Sequence, residues 1–396
     1  MNRRLVVGVT GGIAAYKTAH LVRLLTGRGH EVRTMMTRAA TRFLGPQTLA
    51  ALTGSPPVVE FFDADDPSPH TELARWADGI VVAPATTATL ARLAAGLTED
   101  VVSATVSAFE GPVVVAPAMH TAMWEHPATR RNVALLEGYG YRIVGPAAGA
   151  LAGGDEGVGR MAEPDEIAEV VERAVGPGDL AGWRVLVDAG GTREPIDPVR
   201  YLGNRSSGKM GIAIARQAAR RGADVVLVTT VDPGVLPPGV EVVRVETSEE
   251  MAAAVWRRAP EVDVAVLAAA VADFRPTRRA SEKIPRSGGL EAIELEATPD
   301  ILRGVAELPA RPFLVGFAAE TGDLARAKAK AAAKGVDLLV ANDVTAPGSG
   351  FGTDTNEVTL IFPDGSTEDW PLLPKDEVAA RLWDRIVTLR SSEGRR

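Results

Sequence analysis

Cysteine is absent from all 396 residues. That rules out disulfides, thiolate metal sites and a cysteine nucleophile, and it fits a reducing cytoplasm. No apolar run approaches the roughly 20 residues that span a bilayer, so no membrane partner is expected. An excess of positive charge is missing too. The net charge of -8 argues against a general nucleic-acid binder, although a local basic pocket stays open. The start, MNRRLVVGVTGG, carries two arginines before an apolar run. The run breaks at Gly11-Gly12 and an amphipathic helix pattern follows, so it does not read as a signal peptide. Neither a solenoid repeat nor a coiled-coil heptad pattern occurs.

What is present is ordinary for a globular chain: 46% hydrophobic and 24% charged residues. The length exceeds what one core usually holds, so two domains are expected. RRLVVGVTGG and GWRVLVDAGG each read as a β-rich run ending in a glycine pair, followed by alternating helix and strand signals. That alternation predicts parallel sheets covered on both faces, hence two Rossmann-like, three-layer α/β domains. The Gly/Pro-rich VGPGDLAG marks a boundary, giving domains at 1–177 and 178–396. Strands are expected at 4–9, 31–36, 79–83, 112–116 and 141–144, then at 183–188, 224–229, 241–245, 263–269, 313–316 and 337–340. Helices are expected at 13–27, 209–221, 248–258 and 323–334, among others. Two strands around PDG and a helix at 375–389 close the chain.

In the first half, GVTGGIAAYK follows a strand and opens a helix. Gly11 and Gly12 let backbone N–H groups approach an anion, Thr10 offers a hydroxyl, and the helix adds its positive end. The third glycine of G-x-G-x-x-G is lacking, and a plain tight turn is the competing reading. Thr37, Thr86 and His120 follow later strands, at the edge where open α/β sheets bind ligands; Thr86 alone reads equally as a helix cap. His70 begins another helix, where a neutral imidazole suits a general base or is simply solvated.

In the second half, GNRSSGKMG keeps the Gly and Lys spacing of a phosphate-cradling P-loop. Met210 replaces the magnesium-binding hydroxyl, and the loop from the preceding strand is far too long, so the P-loop reading fails. Ser206 or Ser207 is expected to cap the next helix. Gly190, Gly191 and Thr192 suit an anion, with Arg193 and Arg200 as phosphate partners. Asp273, past a strand end, suits Mg2+. Arg275, Arg278, Arg279, Lys283 and Arg286 form a basic loop in an acidic chain, read either as solvated surface or as triphosphate ligands. Asp300 precedes a helix, and Lys330 and Lys334 share a helix face.

Together VGVTGGIAAYK, HTELARWAD, VVAPATTATLARLAAG, PAMHTAMW and GRMAEP resemble the phosphopantothenoylcysteine decarboxylase family of flavoproteins. The resemblance implies a flavodoxin-like, trimeric domain with FMN at Thr10, Gly11, Gly12, Ile13, Thr37, Ala85 and Thr86. It matches His70 to the active-site histidine. It places His120 where many members have a substrate-contacting Asn. It also implies a substrate clamp containing Gly153, Gly154 and Arg160, with Gly153 standing where many members carry a cysteine. His120 is then a candidate for the missing thiol's proton-transfer work. GGTREPIDPVRYLGNRSSGKMG, AAAVADFRP, EKI, TPDI, GFAAET and ANDV resemble the phosphopantothenate–cysteine ligase family. That resemblance implies a dimeric, CTP-dependent ligase domain. Its CTP site would comprise Leu267, Ala268, Ala269, Asp273, Lys283, Thr298, Pro299, Asp300, Ile301, Phe317, Lys330 and Lys334. Asn204 would hold an acyl-cytidylate, and Asp273 would face Mg2+. Nearly the whole chain thus resembles the bifunctional coenzyme A biosynthesis family, whose substrates are 4'-phosphopantothenate, cysteine and CTP. A trimeric half joined to a dimeric half can close into a dodecamer. Two other readings stay open: a ligase whose flavin domain only scaffolds assembly, and a redox-sensing flavoprotein without catalysis.

Overall fold

The computed structural model describes residues 2–61, 68–286, 292–320, 333–346, 348–350 and 352–393. It separates into two compact units, Met1–Gly176 and Pro177–Arg396.

The first unit begins with strand β1 (Arg4–Val9), helix α1 (Ala15–Gly27), β2 (Glu31–Met36), α2 (Pro46–Thr53) and α3 (Pro69–Trp76). It continues with β3 (Gly79–Ala85), α4 (Thr87–Ala95), α5 (Val101–Ser107), β4 (Val113–Pro117), α6 (Thr121–Glu125) and α7 (Pro127–Gly138). β5 (Arg142–Ile143), a hairpin of β6 (Ala147–Ala150) and β7 (Glu156–Arg160), and α8 (Pro164–Ala174) complete it. The sheet is parallel with order β2-β1-β3-β4-β5. Its strands are continuous Val/Ile runs because both faces are covered. Leu21, Leu49, Ile167 and Val171 bring α1, α2 and α8 onto one face. Leu73, Leu90, Val102 and Leu136 bring α3, α4, α5 and α7 onto the other. The order reverses between β1 and β3, so the carboxyl ends of those two strands form a crevice.

The second unit starts with β8 (Arg184–Ala189), the short antiparallel pair β9 (Arg193–Pro195) and β10 (Tyr201–Gly203), then α9 (Lys209–Arg220), β11 (Asp224–Thr229), β12 (Val240–Arg244) and α10 (Ser248–Arg258). β13 (Val264–Leu267), a second small pair of β14 (Phe274–Pro276) and β15 (Leu295–Ala297), α11 (Ile301–Ala306), β16 (Phe313–Glu320) and β17 (Leu338–Asp343) follow. The unit ends with β18 (Thr355–Ile361), β19 (Thr367–Pro374) and α12 (Lys375–Glu393). The main sheet runs β12-β11-β8-β13-β16-β17-β18-β19 and is parallel up to β17. Its order reverses at β8 and β13.

Most expected elements appear where hydrophobic periodicity put them. β16 is longer than expected because Phe317 to Glu320 keep pairing with Val340 to Asp343. The strand expected at 263–269 stops at Leu267, where the chain turns into the crevice. The three short antiparallel pairs, β6–β7, β9–β10 and β14–β15, were not expected, since each carries too few residues to show a period. The helix expected at 323–334 lies, except for its last two residues, outside the described residues. The cap expected from Ser206 or Ser207 is corrected. Gly208 is the N-cap of α9, at φ 73°, and no side chain caps the helix. The left-handed turn displaces both serines, and the Ser206 hydroxyl accepts the Gly208 N–H instead (3.3 Å). Among the described residues no helix is long and apolar enough to cross a membrane.

Trp383 is fully buried between α12 and α9, and its Nε1–H donates to the Ile214 carbonyl (2.9 Å). Trp383→Ala is expected to destabilise the second unit by about 3–5 kcal/mol, measured by denaturant titration. An unchanged midpoint would contradict this packing.

Candidate active sites

In the first unit a cavity of about 850 Å3 opens at the β1/β3 crevice, between the glycine turn of Gly11 and Gly12, Thr86, and the β6–β7 hairpin. Its rim is apolar. Ile13, Tyr16 and Met123 are each about half exposed there, at 63%, 55% and 47%. Of the residues expected to bind a cofactor, Gly11, Gly12, Ile13 and Thr86 line the cavity. Thr10, Thr37 and Ala85 do not. The Thr10 hydroxyl is buried, donates to the Pro84 carbonyl (2.7 Å) and accepts the Thr86 N–H (3.2 Å). It therefore joins the turns after β1 and β3. Thr37 similarly accepts the Ala40 N–H (3.3 Å) and holds its own turn. Thr86 is both lining and cap, accepting the Thr89 N–H (3.3 Å).

The hairpin closes one side of this cavity. Met119 N–H donates to the Gly159 carbonyl (3.0 Å), and a side chain at Gly159 would lie 2.1 Å from the Met119 carbonyl oxygen. Only glycine permits that approach. Glu163 accepts from Lys17 (2.8 Å) and Arg160 (2.5 Å), and these bonds hold its carboxyl below the usual range, Lys17 first. Gly153 and Arg160 line the cavity; Gly154 does not. Lys17, Met119 and Asp155 were missed from sequence, since a Lys in a helix face and an Asp in a glycine-rich turn look merely solvated.

His120 is held at both nitrogens. Nδ1 accepts the Ala122 N–H (3.2 Å) as the N-cap of α6, so Nε2 carries the proton and donates to Asp155 Oδ2 (3.1 Å). The two bonds fix the orientation of the ring at the edge of the cavity. His70 does not line this cavity. It packs edge-on against Phe61 (centroids 5.5 Å apart), and its buried Nδ1 has no hydrogen-bond partner among the described residues.

In the second unit the loop after β13 crosses the β8/β13 crevice, and the loop after β8 bonds to it at nearly every peptide. Asp188 Oδ1 accepts the Ala269 N–H (2.7 Å), and the Ala268 N–H adds a weaker attraction. Ala270 N–H donates to the Gly190 carbonyl (2.8 Å), and Thr192 Oγ1 accepts the Ala272 N–H (2.9 Å). Asn204 Nδ2 donates to the Ala270 and Val271 carbonyls (3.3 and 3.0 Å). Thr298 then donates to the Ala272 carbonyl (2.5 Å), and its N–H reaches the Asp273 carbonyl (3.1 Å). Asp300 caps α11 through the Arg303 N–H (3.1 Å) and pairs with Lys334 (3.2 Å). Ala268, Ala269 and Phe317 share a recess of about 80 Å3 with the start of α9. Leu267 and Ile301 are buried beneath, Pro299 is half-buried, and Asp273 and Lys283 are exposed. Lys330 lies outside the described residues.

Arg193 and Arg200 are not presented as free phosphate partners. Arg193 stacks over Tyr201 (5.2 Å). Arg200 pairs with Asp197 (3.1 Å) and donates to the Ile284 carbonyl (2.5 Å), while Asp197 Oδ2 accepts the Ile284 N–H (3.2 Å). Arg275 pairs with Glu249 and Glu296. Lys209 pairs with Asp354 (2.7 Å), which accounts for the lysine of the apparent P-loop. Burial would raise the Asp197 carboxyl, but the N–H groups of Val199, Arg200 and Ile284 and the Arg200 charge outweigh it and hold it low. Asp197 thereby fixes Ile284 and the adjacent Lys283. Among the described residues no group of three His, Cys, Asp or Glu could hold a metal alone.

The Flavoprotein family model matches residues 1–176, and the model for the DNA/pantothenate metabolism flavoprotein C-terminal domain matches 180–389. The chain is 48% identical over 405 aligned positions to a coenzyme A biosynthesis bifunctional protein of Mycobacterium tuberculosis, covering 98% of this chain and 96% of the relative. It is 43% identical to the Escherichia coli K12 protein of the same name, covering 100% and 99%. The crystal structure of the C-terminal domain of a protein of that name is 41% identical, with a TM-score of 0.45, covering 54% of this chain and 99% of the other.

Asp197→Ala is expected to release the Ile284 amide, seen as faster hydrogen exchange there while the β8 amides stay protected. In the parent chain the Asp197 bonds should persist from neutral pH down past the ordinary carboxylate value of 3.8 and be lost only below it, because its folded value is depressed. Exchange at Ile284 unaffected by the substitution would contradict the positioning of Lys283.

Proposed function

The chain belongs to the family of bifunctional coenzyme A biosynthesis proteins, ligase plus decarboxylase, and from that premise we propose how its two units divide the chemistry. The second unit joins 4'-phosphopantothenate to cysteine with CTP. The substrate carboxylate attacks the α-phosphate, pyrophosphate leaves, the cysteine amine attacks the acyl carbon, and CMP leaves. The difficulty is electrostatic, because two anions must meet. Lys283, Lys330 and Lys334 offset the triphosphate charge. Asp273 is a single carboxylate, which suits Mg2+ only with phosphate oxygens completing its shell. Ala268, Ala269 and Phe317 frame the base, and Asn204 holds the activated acyl group. The observation that carries this reading is the lacing of the two crevice loops, which gathers Asn204, Asp273 and Thr298 in one place.

The first unit removes CO2 from the cysteine moiety to give 4'-phosphopantetheine. Its residues fit FMN. The cavity suits a ligand of that size, its rim is apolar, and the first turn of α1 has no acidic residue and no side-chain cap, leaving N–H groups for a phosphate. FMN bound there would supply the two-electron oxidation and reduction that make the carboxylate a leaving group. His120 exchanges its Nε2–H bond to Asp155 for one to the substrate, and the hairpin excludes water. His70 lies outside its own cavity, so a role as base requires a neighbouring copy, consistent with trimeric flavin units. Dimeric ligase units would then build a dodecamer in the cytoplasm.

Incubation with 4'-phosphopantothenate, cysteine and CTP or ATP, read by mass spectrometry, tests both steps. 4'-Phosphopantetheine with CTP is expected. Accumulation of the cysteine adduct alone would leave the flavin unit as a scaffold, and no adduct would overturn the ligase assignment. Asn204→Ala should slow pyrophosphate release about 10²-fold while only slightly weakening CTP binding, since Asp188, Gly190 and Thr192 still lace the loop. Loss of CTP binding by a folded variant would contradict that role.

A further inference from the structure

Fold stability does not explain Asp188 in this crevice. It ends an apolar strand, is 1% exposed, and has no cationic partner among the described residues. A carboxylate in such a place is costly, and a neutral amide or hydroxyl could satisfy a peptide N–H at lower cost. Charged groups on the surrounding elements are engaged elsewhere. Lys209 of α9 pairs with Asp354, Glu194 accepts the Ser248 N–H, Arg193 lies over Tyr201, and Arg244 of β12 pairs with Asp232. Arg184 and Asp263 meet at the opposite end of the strands. What the Asp188 carboxylate does hold is the Ala269 N–H, at 2.7 Å, with the next N–H along, that of Ala268, more weakly attracted.

Those two peptides belong to the recess shared with Phe317. We propose that Asp188 is a positioning residue for the nucleotide: its carboxylate pins the Ala268 and Ala269 peptides so that the loop meets the base in one fixed orientation. The inference rests on the assignment of this recess to the nucleotide base. Because a trans peptide directs its carbonyl opposite its N–H, drawing both N–H groups inward turns the Leu267 and Ala268 carbonyls away from Asp188. An ionised carboxylate accepts the Ala269 N–H with its full charge and attracts the Ala268 N–H as well. A protonated one has a hydrogen of its own to place and grips the loop less well. Burial, only partly opposed by the two N–H groups, raises the Asp188 carboxyl to about 7, so the pin weakens as pH falls through that value.

The test compares Asp188→Asn with the parent chain. CTP dissociation constants are measured by calorimetry between pH 6 and pH 8, and the ratio of the two proteins at each pH cancels the titration of the nucleotide itself. The ratio is expected to be about tenfold at pH 8, where a charge-assisted acceptor is lost, and to approach one at pH 6, where the parent has lost it too. The KM for cysteine should be the same in both proteins. A ratio of one at pH 8, or a constant ratio at every pH, would overturn the proposal. A parent chain that does not bind CTP would overturn the base assignment instead. Hydrogen exchange at the Ala268 and Ala269 amides of the parent chain, corrected for intrinsic rates, then judges the pin alone and also serves if the variant does not fold. Loss of protection on going from pH 8 to pH 6 supports it; constant protection overturns it.

Discussion

A loop that leaves a parallel sheet across its switch point cannot satisfy its own peptide groups. The ligase unit depends on how this is solved between Ala268 and Asp273. Asp188, near the end of β8, and Gly190, Thr192 and Asn204, from the segment that follows it, supply the partners. The long TREPIDPVRY insertion is what lets one loop do this. It also carries Asp197 and Arg200, which fasten Ile284 and so place Lys283. The result is a loop whose peptides are held in place by the protein's own groups, the kind of preorganisation from which electrostatic catalysis gains most.

The flavin-type unit solves a related problem by close backbone approach. Glycines let β7 lie against Met119, and the Lys17–Glu163–Arg160 cluster fastens the hairpin's exit. His120 then has little freedom. One nitrogen caps a helix and the other meets Asp155, so the orientation of the ring is fixed.

Much of this was legible beforehand, for physical reasons. Buried parallel strands are unbroken Val/Ile/Leu runs, so β1, β3, β8 and β13 stood out. Loops at their carboxyl ends marked both sites. Side-chain partners did not show. Thr10 looked like a ligand hydroxyl and is a tie between two turns. Ser206 and Ser207 looked like caps until the left-handed turn at Gly208 moved them. Arg200 looked like a phosphate partner and is a structural clamp. Each depends on contacts between residues far apart in the chain, which spacing does not encode. Asp188 did leave a trace: an acidic residue inside the apolar run RVLVDAGG breaks the pattern of a buried strand without an obvious reason.

The most direct measurement is a crystal structure of the chain with CTP and Mg2+. The account predicts the cytosine against Ala268, Ala269 and Phe317, with the phosphates running toward Lys283 and Lys334 and Mg2+ beside Asp273. A nucleotide bound away from the β8/β13 crevice, with the two loops still laced, would contradict it.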